Sequence, residues 1–198
     1  MSYYAEKTAV VTGAATGFGL AIAERLLSLG AAGVWMGDCN ETKLQRETER
    51  LNRLYPGKAH AVRCNCMVTE DVYALIAAAA AEGGKLDFVF NNAGRPMTRP
   101  IGFIKPQEFE DLVKLNYLGV VHGTMAALPI MEKQGCGHIV NTASCGGLIP
   151  AAYQSAYAST KAAVITFTRC LSYEYDNSAI RFSQISPMNV ATDIFKAE

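Results

Sequence analysis

Short apolar runs alternate with longer segments of helical character along almost the whole chain, and no other feature narrows its possible folds as far. Thr8 to Val11, Gly33 to Gly37, Ala59 to Cys64, Leu86 to Phe90, His138 to Thr142 and Ile180 to Ile185 read as strands. The first helical segment, about residues 17–29, puts Leu20, Ile22, Ala23, Leu26 and Leu27 on one side. The second, residues 41–54, is stopped by Pro56-Gly57. A third is capped by Thr69, runs through the alanines at 77–81 and ends at Gly83-Gly84. A fourth starts near Pro106 and continues to about Lys133, and a fifth covers about residues 152–175. Strands joined through helices pair in parallel, and parallel strands are buried on both faces. The apolar strands here agree. The expectation is an α/β fold, one domain built on a doubly wound parallel sheet with helices on both faces. A chain of 198 residues can bury one such core. Open sheets of this kind bind ligands beyond the carboxyl ends of their strands, and the polar motifs fall there.

The loop Thr12-Gly13-Ala14-Ala15-Thr16-Gly17-Phe18-Gly19 follows the first strand and opens the first helix. Its glycines allow a tight turn and let backbone N–H groups approach a pyrophosphate; the helix N-terminus adds partial positive charge. Asp38 closes the second strand, nineteen residues after Gly19. A carboxylate there accepts hydrogen bonds from both hydroxyls of an adenosine ribose and repels a 2′-phosphate, which favours NAD over NADP. Asp38 also has a plainer reading, as the cap of the helix starting near Asn40. Lys43 and Arg46 are the cations that stand near enough to compete for a 2′-phosphate.

Tyr157-Ala158-Ser159-Thr160-Lys161 places a phenol and an ammonium four residues apart on one helix face. A phenol titrates near pH ~10, and an adjacent ammonium pulls that value toward neutrality. Thirteen positions before Tyr157, the run Ile139-Val140-Asn141-Thr142-Ala143-Ser144 delivers a serine to the carboxyl end of a buried strand. A hydroxyl there can hold a substrate oxygen while Tyr157 moves its proton. Taken alone, the Tyr/Lys pair also fits a surface helix with an aromatic stem.

With the glycine loop, Ser144 and the Tyr157/Lys161 pair in this order, the chain resembles the short-chain dehydrogenase/reductase family over nearly its whole length. The glycine spacing is that of its short NAD(P)(H)-dependent oxidoreductase branch. Further marks are Asn91-Asn92-Ala93-Gly94 after the fourth strand, Asn116 in Leu115-Asn116-Tyr117, and Pro187-Met188-Asn189-Val190-Ala191-Thr192 after the sixth strand. The resemblance implies a Rossmann fold and a catalytic set of Asn116, Ser144, Tyr157 and Lys161. Tyr157 would be the general acid/base, and Ser144 would steady the substrate oxygen. Lys161 would lower the phenol pKa and bind the nicotinamide ribose. Asn116 would hold a water in a proton relay, or simply bond a neighbouring strand as a helix amide. The implied cofactor site comprises Gly13, Thr16, Gly17, Phe18 and Gly19 of the loop, Asp38, Asn65 and Cys66. It continues through Asn91, Ala93, Gly94, Thr142, Tyr157, Lys161, Pro187, Val190 and Thr192. Asn65 stands where the family often has an aspartate facing adenine, and Met188 stands where a glycine is usual. On the family pattern, the expectation is a single dinucleotide-binding and catalytic domain, residues 1–198, that would lack the usual C-terminal lid and last strand.

Half of the residues are hydrophobic, 18% are charged, and the formal net charge is zero. Nothing in that balance points to nucleic acid or an acidic membrane surface. No apolar run is long enough to span a bilayer. The N-terminal Met1 to Lys7 lacks a basic region followed by an apolar stretch. Six cysteines, with no C-x-x-C pair, read as reduced thiols of a cytoplasmic protein, most of them in the core, and no metal site is expected.

The expected function is an NAD-dependent oxidoreductase interconverting a secondary alcohol and a ketone. The rivals are a non-catalytic dinucleotide-binding or scaffold protein of the same fold, and an NADP-dependent carbonyl reductase. Gly146, Leu148, Ile149, Tyr153, Met188 and Ile194 would border an apolar pocket suited to a steroid, an acyl chain or an aromatic alcohol. The alanine-rich helices after the fourth and fifth strands predict a homodimer or homotetramer.

Overall fold

The computed structural model describes residues 2–188. In chain order the elements are β1 (Thr8–Thr12), α1 (Gly17–Ser28), β2 (Gly33–Asp38), α2 (Glu41–Leu54), β3 (Ala59–Arg63) and α3 (Thr69–Gly83). They continue through β4 (Phe88–Asn91), α4 (Pro106–Val113), α5 (Gly119–Gln134), β5 (Gly137–Thr142), α6 (Ser155–Glu174) and β6 (Ile180–Ile185). The strands form one sheet in the order β3-β2-β1-β4-β5-β6, and every neighbouring pair is parallel. The chain winds outward from β1 to β3, then returns to β4 and winds the other way. The loops after β1 and β4 therefore diverge, and a crevice opens between them at the carboxyl edge.

Strand pleating splits the core in two. Ala9, Val11, Val34 and Met36 pack with Ala23, Leu26 and Leu27 of α1 and Leu44 and Leu51 of α2. Val10, Val89 and Ile139 point the other way, toward Val72, Leu75 and Ile76 of α3, Ala127 and Met131 of α5, and Leu171 of α6. Helices thus cover both faces, as the alternation predicts. Tyr3 and Tyr4 lay their rings against Phe88, at 5.6 and 5.2 Å between centroids.

Some elements depart from the sequence expectation. The predicted long helix is α4 and α5 joined by a single π-helical segment, Lys114–Leu118, which holds Asn116. Thr69 does not cap α3: Val68 is the capping residue, and the Thr69 hydroxyl lies 3.4 Å from His122 Nδ1. The last helix begins at Ser155, not near Ala152, because Tyr153 has φ of +66°, outside the helical region. Of the cysteines only Cys64 and Cys66 are buried; Cys39, Cys136 and Cys170 are exposed, so the expectation that most sit in the core fails. Among the described residues no helix is long and apolar enough to cross a membrane.

Candidate active site

The first wall of the crevice is the glycine loop. Gly13 and Gly17 adopt φ of +66° and +56°, which L side chains resist. A Cβ on Gly13 would also stand 2.9 Å from Ala93 Cα, so the loops after β1 and β4 touch backbone to backbone. Thr12 Oγ1 accepts hydrogen bonds from the N–H groups of Asn92 and Ala93, at 2.9 and 3.0 Å. Thr16 is the capping residue of α1, yet its side chain makes no capping bond, and the first turn holds no acid. The helix therefore ends in amide groups without a side-chain acceptor, beside Gly17 and the half-buried Phe18. Gly19 is buried against Gly13, where any Cβ would collide with the Gly13 carbonyl.

Asp38 joins this wall from β2. One carboxylate oxygen accepts from Ala15 N–H at 3.0 Å and the other from Asn40 N–H at 2.9 Å. Asn40 itself caps α2, accepting from Lys43 N–H, so the capping reading of Asp38 falls away. Beyond it, the Asn65 side-chain oxygen accepts from Met67 N–H at 3.1 Å, which leaves the amide NH2 as its remaining polar group. Cys66 is buried with its sulfur 4.0 Å from that of Cys64. The Cys64 neighbour, followed by burial, pushes the Cys66 thiol pKa up.

The second wall comes from β4, β5 and β6. Asn91 does not line the crevice with its side chain. It is buried and donates to Asn141 Oδ1 at 2.9 Å, across the β4–β5 pair. Asn92, expected within the Asn91–Gly94 stretch but not singled out in it, donates to the Thr12 carbonyl at 3.0 Å and accepts from Thr142 Oγ1 at 3.3 Å. Its position inside the Asn91–Gly94 motif was the signal available. The β5–β6 register continues past the strands: Ala143 N–H donates to Ile185 O and Cys145 N–H to Pro187 O, at 2.8 and 3.0 Å. Pro187 thereby lies beside the turn that holds Ser144. Val190 and Thr192, expected at the nicotinamide, and Ile194 of the expected pocket lie outside the described residues.

The expected reactive side chains come from the turn after β5 and from α6. Ser144 is buried in extended backbone, and its Oγ accepts from Gly146 N–H at 3.2 Å. That bond fixes the oxygen and leaves the hydroxyl hydrogen to be aimed. A hydrogen bond joins Ser144 to the Tyr157 hydroxyl. Gly147 packs directly on the backbone of α6, bringing Ser144, Tyr157 and Lys161 together. Lys161 is 3% exposed, donates to the Thr142 carbonyl at 2.8 Å and lies 6.0 Å from the Tyr157 ring centroid. Burial lowers its pKa from 10.5 to about 8.

The expected lowering of the Tyr157 pKa by Lys161 is not what the geometry gives. Burial raises the phenol pKa, the Ser144 bond opposes it, and nearby Cys145 adds to it. Desolvation outweighs charge because the ammonium is turned to Thr142 O. Asn116 is fully buried and already engaged: its oxygen accepts from Arg95 N–H at 2.9 Å, and its NH2 donates to Arg95 O at 2.9 Å and Thr160 Oγ1 at 3.2 Å. Neither partner lies on a strand: Arg95 is in the loop after β4 and Thr160 is in α6, so the side-chain amide ties a loop to a helix. Gly94 borders both side chains: a Cβ there would stand 3.1 Å from Asn116 Oδ1 and 3.3 Å from Lys161 Nζ.

A family model described as short chain dehydrogenase matches residues 7–198. The chain belongs to the short-chain dehydrogenase family. An uncharacterized oxidoreductase of Staphylococcus aureus (strain USA300) is 36% identical over 197 residues, spanning all of this chain and 84% of that protein. A short-chain dehydrogenase/reductase of Burkholderia phymatum, solved in complex with NAD, is similar at a TM-score of 0.94 and 34% identity, covering 100% of this chain and 70% of that one. A variant of actinorhodin polyketide ketoreductase, solved with NADPH, gives a TM-score of 0.92 at 31% identity, covering 100% of this chain and 76% of its own. This short-chain dehydrogenase thus has solved neighbours with either nicotinamide dinucleotide.

Proposed function

We propose that this chain is an NAD-dependent oxidoreductase interconverting a secondary alcohol and a ketone. The observation that carries the reading is the convergence of Ser144, Tyr157 and Lys161 on the floor of a crevice whose first wall is an uncapped helix N-terminus. The residues fit a dinucleotide. Gly13, Thr16, Gly17 and Gly19 would hold the pyrophosphate against the amides of α1. Asp38, with Asn65 and the Cys66 backbone, would hold the adenosine end. Ala93, Gly94 and Thr142 would line the path to Lys161 at the nicotinamide ribose. When bound, the nicotinamide supplies the hydride acceptor or donor.

The chain's own residues supply position and proton. In the oxidising direction the Tyr157 phenolate takes the alcohol proton; in reduction the phenol returns it to the carbonyl oxygen. Ser144 holds that oxygen, its own Oγ steadied by Gly146. A charged Lys161 favours the phenolate, and Gly94, without a side chain, borders the ammonium. Asp38 supports NAD over NADP, because a carboxylate anchored by two backbone amides stands at the ribose end. Leu148, Ile149, Tyr153 and Met188, which follow β5 and β6 in the chain, are exposed apolar side chains, and so are Ile101 and Phe103 after β4. The loops after β4 and β5 meet where Arg99 N–H donates to Tyr153 O at 2.7 Å. An apolar alcohol or ketone suits such side chains. The six free thiols suit a reducing compartment such as the cytoplasm.

Tyr157→Phe tests the reading. It keeps the ring and removes only the hydroxyl. NADH absorbance on a screened panel of secondary alcohols should show turnover in the parent protein and none in the variant, with NAD affinity retained. Turnover in the variant near the parental rate removes Tyr157 from the mechanism and favours the non-catalytic reading of the motif. For assembly, we propose a homodimer or homotetramer through α5 and α6. A groove of about 560 Å³ is lined by Tyr117, just before α5, and by Ala162, Ala163, Thr166, Phe167 and Cys170 of α6. Sedimentation at micromolar concentration should give a dimer or larger; a monomer sinks that assignment.

A further inference from the structure

We propose that Thr160 is a positioning residue that locks the Tyr157 turn of α6 to the loop after β4. Thr160 lies between Tyr157 and Lys161 in sequence, and its hydroxyl works in both directions. It donates to the Tyr157 carbonyl at 2.7 Å and accepts from Asn116 Nδ2 at 3.2 Å. Asn116 in turn clasps Arg95 through both ends of its amide, at 2.9 Å each. Arg95 follows Gly94, whose Cα faces Asn116 Oδ1 and Lys161 Nζ. One chain of bonds therefore runs from the backbone of the proton-moving tyrosine, through Thr160 and Asn116, to the loop flanking the ammonium.

The link has no substitute in solvent. Thr160 is 3% exposed and Asn116 is not exposed at all. Removing the hydroxyl leaves an amide N–H of Asn116 buried without an acceptor, and a group in that state pulls its surroundings toward a new arrangement. The π-helical turn at Lys114–Leu118 makes the point sensitive. Gly119 N–H bonds to Lys114 O across that turn, so Asn116 sits where the helix departs from α-helical spacing. Chemistry at Tyr157 depends on sub-ångström placement of the phenol, and misplacement by about 1 Å costs on the order of a hundredfold in rate.

The same helix supplies its own control. Thr168 is also 3% exposed, donates to Val164 O at 2.7 Å and accepts from Asn141 Nδ2 at 2.9 Å. Thr168→Val and Thr160→Val delete the same pair of bonds at the same burial, one near the floor of the site and one two turns away. A merely structural hydroxyl would make the two variants alike.

The test compares Thr160→Val, Thr160→Ser and Thr168→Val by melting temperature, NAD dissociation constant and steady-state kinetics on an alcohol found by screening. The expected result is a kcat roughly tenfold or more below the parent for Thr160→Val, with NAD binding within about twofold. Thr160→Ser, which keeps the hydroxyl, restores most of the rate. Thr168→Val loses comparable melting temperature but keeps its kcat. If Thr160→Val does not fold, Thr160→Ala carries the same expectation. The inference rests on the dehydrogenase reading: a parent protein that turns over no alcohol or ketone with NAD or NADP overturns both. An active parent whose Thr160→Val variant matches it, or loses kcat only in step with Thr168→Val, overturns this inference alone.

Discussion

Gly147→Ala should damage the part of the site formed by Ser144, Tyr157 and Lys161. Gly147 ends the short turn Cys145–Gly147 that follows Ser144. A Cβ there would lie 2.7 Å from the Lys161 carbonyl carbon, 2.8 Å from Ala162 N and 3.0 Å from Ile165 Cδ1. The first two atoms are backbone of a 20-residue helix and cannot swing aside. Carbon atoms rest at about 3.5 Å or more, so the turn must retreat by roughly 0.8 Å, which is 3.5 less 2.7. Overpacking of this kind costs about 1–3 kcal/mol. For a chain of this size that is a melting-temperature loss of roughly 2–12 °C. The retreat carries Ser144 away from Tyr157, so kcat should fall by roughly ten- to a hundredfold while NAD affinity holds. Gly146→Ala is the comparison. Its Cβ would meet Gln154 Oε1 at 3.3 Å, and Ser144 Oγ and Tyr157 Cε1 at 3.6 Å, so only the end of a flexible side chain must give. Differential scanning calorimetry and NADH-linked kinetics on both variants decide the matter. A Gly147→Ala protein as stable and as fast as Gly146→Ala would show that the turn does not depend on close approach to α6.

Stability should rise with pH between about 8 and 10.5 because of Lys161, whose burial lowers its pKa from 10.5 to about 8. In that window the unfolded chain keeps a proton that the folded chain has released, so deprotonation favours folding by about 3 kcal/mol in total. Tyr157 and Cys66, both raised, oppose this at the alkaline end, so the quantity to read is the parent minus Lys161→Met in urea denaturation at pH 8 and pH 10. Parallel pH curves for the two proteins would exclude a buried, depressed lysine. Asp38→Ala should weaken NAD by roughly tenfold or more, the worth of a charged hydrogen bond, and narrow its margin over NADP. Titrating both cofactors checks this, and an unchanged preference would mean that another residue reads the ribose.

The order of strands and helices was legible in the chain because burial on a sheet or a helix face leaves a periodic trace in neighbouring residues. The glycine loop, Asp38 at the end of β2, and the Tyr157/Lys161 spacing were legible for the same reason: each is a local pattern on one element or one turn. What lay beyond such reading depends on residues far apart in sequence and on the dielectric that packing creates. The Lys161 ammonium is given to Thr142 O, nineteen residues away, and burial rather than its charge sets the direction of the Tyr157 pKa. Asn91 pairs with Asn141 across the β4–β5 register, and that partner is fixed only when two strands align. Asn116 could hold a water or bond a neighbour until folding brought Arg95 and Thr160 to its two ends. The π-helical turn that places it leaves no mark in periodicity, since one widened turn shifts the pattern by a single residue. Helices, loops and the list of reactive groups are local properties, whereas which proton each group holds, and toward what it points, is settled by contacts that exist only in the folded chain.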